Sequence, residues 1–341
     1  MIKDAIRRLV ERRDLTEAEA QQVLMEVMEG QATPGQVAAF LVALRMKGET
    51  IEEIVGLART MRAKALRVEV SGNVLDTCGT GGDASGTYNI STATAFVAAA
   101  AGLRVAKHGN RSATSKCGSA DVLEALGARL ALTPQQARAC LEKVGFAFLF
   151  AQAYHPAMKH VAPVRAEIGV RTVFNILGPL ANPAGATHQL LGVAEAGLAP
   201  KMAAILQRLG SKHALVVHGD DGLDEVSIGG PTAVHEVRDG SVRRYMVTPE
   251  ELGLPRATRE TLAGGTREEN ARIIRALFEG ERGPKRDALL ANAAAALYTG
   301  DRVASIPEGV SLAAQAIDSG AAKGTLEAYA RMTQGVAGAV G

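Results

Sequence analysis

Three short segments concentrate the side chains able to hold a polyanion and a metal ion. The first, Thr77-Cys78-Gly79-Thr80-Gly81-Gly82-Asp83, follows the apolar run Val74 to Asp76 and leads to Asn89-Ile90-Ser91-Thr92, where a helix should begin. Glycine lets the backbone come close to a ligand, and the free N–H groups and hydroxyls of a helix start attract anions. No Lys-Ser/Thr pair follows, so this is not a Walker A loop, and the spacing is not the dinucleotide GxGxxG. A tight turn with a Ser/Thr cap accounts for the same residues.

The second segment, Lys107-His108-Gly109-Asn110-Arg111-Ser112-Ala113-Thr114-Ser115-Lys116-Cys117-Gly118-Ser119, mixes cations, hydroxyls, a His and an Asn. At the carboxyl end of a parallel strand this mixture would wrap a di- or triphosphate-like group, whereas elsewhere it would be a solvated loop. The third, His218-Gly219-Asp220-Asp221-Gly222-Leu223-Asp224-Glu225, carries acids. Magnesium favours one or two carboxylates together with substrate phosphates and water, and Asp224 with Glu225 is the pair best suited to it. Asp220 and Asp221 fit an ordinary Asp/Gly turn. His155 and His160 lack zinc-ligand spacing, and Cys78, Cys117 and Cys140 form no CxxC pair, so neither a zinc site nor a disulfide framework is expected.

The elements that would position these loops follow from pattern. Thr16 with Glu19, Thr33 with Gln36, and Thr50 with Glu53 are spaced as capping boxes, and apolar residues between them recur at helical intervals. Residues 1–70 are therefore expected to form a helical N-terminal domain, with a 154–183 insertion packing on it. Residues 71–341 should form an α/β domain around a mostly parallel sheet. Its strands are expected at Val74 to Asp76, Leu103 to Ala106, Phe146 to Phe150, Leu190 to Val193 and Ala214 to Val217. Helices should cover Ser91 to Ala101, Ala120 to Leu126, Pro134 to Val144 and Pro200 to Leu209. Pro156 to Ile168 reads as one helix, and Thr232 to Val237 with Ser241 to Val247 as a hairpin about Asp239-Gly240.

Bulk properties narrow the class. The 341 residues, 47% hydrophobic and 22% charged, suit a globular protein with a substantial core. A net charge of +2 provides little general field for nucleic acid, and no apolar run reaches the roughly 20 residues of a membrane span. A cytoplasmic protein that engages neither is expected. Four short helices bury little area alone, which points to a homodimer through the helical domain.

The chain resembles the anthranilate phosphoribosyltransferase family. The match rests on Asp76-Thr77 with Gly79-Thr80-Gly81-Gly82-Asp83, Asn89-Ile90-Ser91-Thr92, Lys107-His108-Gly109-Asn110-Arg111-Ser112, His155-Pro156-Ala157, Arg165, Arg171-Thr172, Phe174-Asn175, Gly178-Pro179-Leu180, Asn182-Pro183 and Asp224-Glu225. The resemblance implies transfer of the phosphoribosyl group of phosphoribosyl pyrophosphate to anthranilate in tryptophan biosynthesis, with Mg2+. It assigns the donor to Gly79, Gly82, Asp83, Thr87, Asn89, Ser91, Thr92, Lys107, Ser115 and Ser119, and substrate binding more widely to these with Ile90, His108, Gly109, Asn110, Arg111, Ser112, Ala113 and Thr114. Metal ligands would be Ser91, Asp224 and Glu225. Asn110 and Arg165 would contact anthranilate, with His108, His155 and Pro179 as walls, and Lys107 and Arg165 would be the catalytic side chains. A nucleoside phosphorylase of similar architecture would need no metal-pyrophosphate site, and a nucleic-acid-binding relative would need an extended basic groove.

Overall fold

The computed structural model describes residues 1–83, 85–112 and 116–335, which form two compact units. One comprises Met1–Arg67 with Ala151–Pro183, and the other Val68–Phe150 with Ala184–Gly341.

The first unit is helical. Helices α1 (Ile2–Val10), α2 (Glu17–Met28), α3 (Pro34–Lys47) and α4 (Ile51–Lys64) are bounded as their sequences demand, and all three expected capping boxes form. Each box returns two otherwise orphaned N–H groups to hydrogen bonds, worth about 1 kcal/mol per cap. Glu53 does more than cap. It is fully buried, accepting from the N–H groups of Leu15 and Thr50 at 2.9 and 2.7 Å and from Lys47 Nζ at 2.9 Å. The segment expected as a single helix, Pro156 to Ile168, divides into a 3-10 turn, Pro156–His160, and a helix, Ala162–Ile168. The cause is Pro163, which has no N–H to offer the carbonyl four residues earlier and so prevents one continuous helix. The expected loop after it also contains a 3-10 turn, Gly178–Leu180.

The second unit is built on a seven-stranded sheet in the order β3-β2-β1-β4-β5-β6-β7. Strands β1 (Leu75–Gly79), β2 (Val105–Gly109), β3 (Phe146–Phe150), β4 (His188–Gly192) and β5 (His213–Gly219) are parallel. Strands β6 (Thr232–Arg238) and β7 (Ser241–Val247) complete it as an antiparallel hairpin. Asp239 and Gly240 both adopt positive φ, 49° and 74°, which gives the turn the twist that a two-residue hairpin needs. Helices α5 (Ile90–Ala100), α6 (Ser119–Ala125) and α7 (Pro134–Lys143) follow the expected order. The strands begin and end within a few residues of their expected positions. β1, β2 and β5 run further at their carboxyl ends because ladder hydrogen bonds continue into the glycines that sequence pattern assigns to turns.

At the amino-terminal end of the sheet a buried polar network ties β4, β5 and β6 together. His213 Nε2 lies 3.0 Å from Glu236 Oε1 and its Nδ1 3.0 Å from Asp301 Oδ1, while His188 Nε2 lies 3.1 Å from Asp301 Oδ2. Burial alone would raise the Glu236 carboxyl, but hydrogen bonds from His213, Tyr298, Arg243 and Tyr245 outweigh it and hold the group at about 2. A depressed folded-state pKa stabilises the protein above the unfolded value and loses that contribution as pH falls toward the folded value. Unfolding free energy should thus drop by on the order of 2 kcal/mol between about pH 4.5 and pH 2 on account of this group. Denaturant titrations of Glu236→Gln should show a shallower slope over that window than the unaltered protein, and an unchanged slope would refute the assignment.

Candidate functional site

The carboxyl ends of β1, β2 and β5 bring three loops of the α/β unit together where the strand order reverses between β1 and β4, the usual ligand position of open parallel sheets. From β2, Lys107 points inward and is almost fully buried. Its ammonium donates to Thr77 O on β1 and, at 3.1 Å, to Ser91 Oγ in the first turn of α5. Burial lowers the Lys107 pKa, opposed by the nearby charges of Asp76, Cys78, Glu225 and Asp224. Asp76, also buried, accepts from the His108 N–H at 3.2 Å and so fixes the strand that carries the lysine.

From β5 come the two acids. Asp224 Oδ2 accepts from the Gly81 N–H at 3.0 Å. Burial raises its carboxyl to about 7, with Asp83 adding to the rise and the Gly81 N–H opposing it. Glu225 is pushed well above its ordinary value by burial and then by Asp224, against Lys107 and the Ser91 N–H, which favour its charged form. The acids reach this position because the chain passes unusually close to the end of β4. A Cβ on Gly192 would lie 1.6 Å from the Asp224 carbonyl oxygen, so only glycine fits there, and one on Gly79 would lie 2.4 Å from Asp224 Oδ2 and displace that carboxylate.

Gly79, Asp83, Ser91, Lys107, Asp224 and Glu225 are therefore assembled into one electrostatic cluster, with Gly82 (φ 87°) in the same turn. Thr87 pairs with Ala263 in an isolated bridge, Asn89 precedes α5, and Ile90 and Thr92 are buried in its first turn. Asn89 Nδ2 donates to Cys117 O at 3.1 Å, coupling the glycine turn to the cationic loop. In that loop His108 is buried, Gly109 ends β2, and the Asn110 carbonyl accepts from Ser119 Oγ at 3.3 Å. The Ser112 N–H donates to Asp121. The Arg111 guanidinium turns to α6 instead, pairing with Asp121 at 2.8 Å and with Glu124 at 2.6 and 2.8 Å. Ala113, Thr114 and Ser115 lie outside the described residues. Asp221 accepts from the Leu223 N–H and from Ser227 Oγ, the structural turn that remained the alternative for it. None of the three thiols is in a disulfide, and all have raised pKa values, chiefly from burial, so they stay protonated.

His155, Arg165 and Pro179 belong to the helical unit. Arg165 lies in the last turn of Ala162–Ile168 with its guanidinium 5.4 Å from the Phe174 ring centroid. His155 is lowered to about 4 by burial and Pro179 is buried in its 3-10 turn. Sequence pattern gave Asp76 no role of its own and passed over Gly192 and Asn270. Asn270 is buried, accepting from the Gly265 N–H at 2.8 Å and donating to Asn89 Oδ1 at 2.9 Å. The Thr266 and Glu269 capping box beside it was the available signal.

The donor set fits a hard divalent cation: two adjacent half-buried carboxylates and a hydroxyl. Among the described residues no group of three His, Cys, Asp or Glu forms a metal cage, so the remaining ligands would come from water or a bound anion. Because the Asp224 carboxyl titrates at about 7, cation binding there must displace a proton in acid solution. Affinity for Mn2+ should rise by up to about tenfold per pH unit below 7 and level off above it. Calorimetry in buffers of different ionisation enthalpy counts the released proton, and a flat pH profile would remove Asp224 from the site.

The same elements recur in known proteins. Residues 71–323 match the glycosyl transferase family a/b domain, and residues 3–65 match the glycosyl transferase family helical bundle domain. The chain is 58% identical over 333 residues to anthranilate phosphoribosyltransferase of Symbiobacterium thermophilum, covering 97% of this chain and 98% of that one. Its identity to the enzyme of that name from Dehalococcoides mccartyi is 53% over 339 residues, 99% of each. Among solved structures, anthranilate phosphoribosyltransferase from Thermus thermophilus superposes with a TM-score of 0.92 at 48% identity, over 97% of this chain and 99% of that one. The Saccharomyces cerevisiae enzyme in complex with PRPP and Mg superposes with a TM-score of 0.90 at 29% identity, over 98% of each.

Proposed function

Since the chain belongs to the anthranilate phosphoribosyltransferase family, we propose that it joins the amine of anthranilate to the phosphoribosyl group of 5-phosphoribosyl 1-pyrophosphate. Pyrophosphate leaves, and the product N-(5-phosphoribosyl)anthranilate serves tryptophan biosynthesis. The observation that carries this reading is the convergence of the glycine turn, Lys107 and the acid pair at neighbouring strand ends.

The amine nitrogen of anthranilate is neutral near pH 7 and already has a lone pair, so the chain needs no strong base. The C–O bond to pyrophosphate breaks as the C–N bond forms, and the amine proton passes to water. The demanding part is negative charge building on the leaving group. Mg2+ held by Asp224, Glu225 and Ser91 would neutralise part of that charge. Lys107 supplies a buried positive field and holds Ser91 in place, and the N–H groups of the glycine turn are preorganised donors for phosphate oxygens. Gly79, Gly82, Asp83, Thr87, Asn89, Ile90, Thr92, Gly109, Ser112, Ala113, Thr114, Ser115 and Ser119 form the rest of the proposed donor site. Arg111 contributes backbone there, its guanidinium being engaged by Asp121 and Glu124. For anthranilate we assign Asn110 and Arg165, whose planar fork suits a carboxylate, with His108, His155 and Pro179 as apolar or neutral walls. The lowered pKa of His155 supports an uncharged wall.

We place the protein in the cytoplasm, supported by three cysteines none of which is in a disulfide. No helix among the described residues is long and apolar enough to cross a membrane. A homodimer through the helical unit is supported by side chains on α1 and α3 that an isolated copy leaves in water: Val10 is 70% exposed, Val42 40% and Met46 73%. Val42→Glu combined with Met46→Glu should convert a sedimenting dimer into monomer, and an unaltered protein that sediments as a monomer would dismiss the interface.

Anthranilate fluorescence should fall when the phosphoribosyl donor is added with magnesium and stay constant when the metal is chelated. The double variant Asp224→Asn, Glu225→Gln should lose turnover by on the order of 100-fold or more while keeping its circular dichroism. Unchanged turnover in that variant at saturating magnesium would reject the site.

A further inference from the structure

Asn292 lies within the helix Pro284–Thr299, fully buried in the run Ala291-Asn292-Ala293-Ala294-Ala295-Ala296. Asparagine is a poorer helix former than alanine, and burying its amide is unfavourable unless its polar atoms find partners. Those partners lie chiefly on one residue of the acid loop. Asn292 Oδ1 accepts from the Val226 N–H at 2.8 Å, and Nδ2 donates to Val226 O at 2.9 Å and to Ala288 O at 2.9 Å. Both backbone groups of Val226 are thus gripped by a single amide, and Val226 directly follows Glu225.

The chain on either side of the acids is also fixed. Before them, the Asp224 carbonyl passes over Gly192, where a Cβ would lie 1.6 Å away. After them, the Ser227 N–H donates to Thr232 Oγ1 at 2.9 Å and Ser227 Oγ donates to Asp221 Oδ2 at 2.6 Å. Two adjacent carboxylates, each half-buried, repel each other when charged, and partial burial favours whatever backbone motion returns them fully to solvent. A loop left to itself would relieve this strain by peeling away from β1.

We propose that Asn292 is a positioning residue: by clamping Val226 it holds Asp224 and Glu225 in place against their own repulsion before any cation arrives. The inference rests on the metal-holding role proposed above for these acids. It locates the second layer of the site on a helix with no residue in the proposed ligand set, and it explains why a polar residue occupies an alanine-rich helical face.

Hydrogen–deuterium exchange of the metal-free protein tests the clamp without reference to activity. In the unaltered chain the Val226 amide should exchange as slowly as the amides of β5. Asn292→Ala leaves both backbone groups of Val226 buried and unpaired, and should speed exchange there by about tenfold or more, with β5 unchanged. Electron paramagnetic resonance should show Mn2+ binding, with donor present, weakened by about 10–100-fold, the range for loss of a residue supporting a metal ligand. Affinity for anthranilate should not move. Asn292→Asp, which keeps the oxygen that accepts from the Val226 N–H but loses the donor to Val226 O, should fall between in exchange, and it carries the comparison should the alanine variant not fold. Rapid exchange of Val226 in the unaltered protein, an increase spread evenly over β5 and the helix, or unchanged Mn2+ affinity in the variants would each overturn the proposal. Failure of the unaltered protein to bind Mn2+ would instead discard the metal role, with exchange at Val226 still deciding the clamp.

Discussion

Two carboxylates, adjacent in sequence and both only partly open to water, set the terms for this site. Placing like charges together in a region of low polarity costs several kcal/mol unless compensation is close. Asp224 and Glu225 receive only part of it: one N–H from Gly81, one from Ser91, and the nearby ammonium of Lys107. The residual imbalance appears as the raised carboxyls of both acids. The close pass over Gly79 and Gly192, the buried lysine on β2 and the first turn of α5 all contribute to holding that imbalance in place.

The opposite end of the same sheet shows what a settled charge cluster looks like. His188, His213, Glu236 and Asp301 are as rich in titratable groups, yet their hydrogen bonds satisfy one another and the Glu236 carboxyl is held low, at about 2. Composition does not distinguish the two clusters. The direction of the carboxylate shift does. Downward means that the protein has supplied the counter-charge itself; upward means that it has left room for something else to bring it.

Much of the scaffold was legible because it is written in local chemistry. A Thr followed three residues later by Glu or Gln marks the starts of α2, α3, α4 and α7, and the Asp239-Gly240 turn declares its hairpin. The single helix expected over Pro156 to Ile168 failed for an equally local reason, the missing N–H of Pro163. The glycine turn, Lys107 and the acid pair could be picked out by type and spacing. What spacing could not convey was orientation: Arg111 and Lys107 are both cations of one loop, but the first turns to Asp121 and Glu124 while the second enters the core. Nor could it reveal Gly192, Asn270 or Asn292, whose partners lie 32 to 181 positions away and exist only once the sheet has formed.

The incompleteness of the acid pair also bears on how a metal would arrive. Two carboxylates and a hydroxyl do not fill an octahedral magnesium shell, and magnesium parts with its waters reluctantly. On the proposed function, the phosphate oxygens of the donor complete that shell. Metal and donor would then stabilise each other's binding, the cation offsetting carboxylate and phosphate charge alike. With both in place the leaving group's charge would face the cation and Lys107 together. Such an arrangement would couple the protein's own electrostatic strain to the one bond that must break, the carboxylates holding the cation and the cation the departing oxygen.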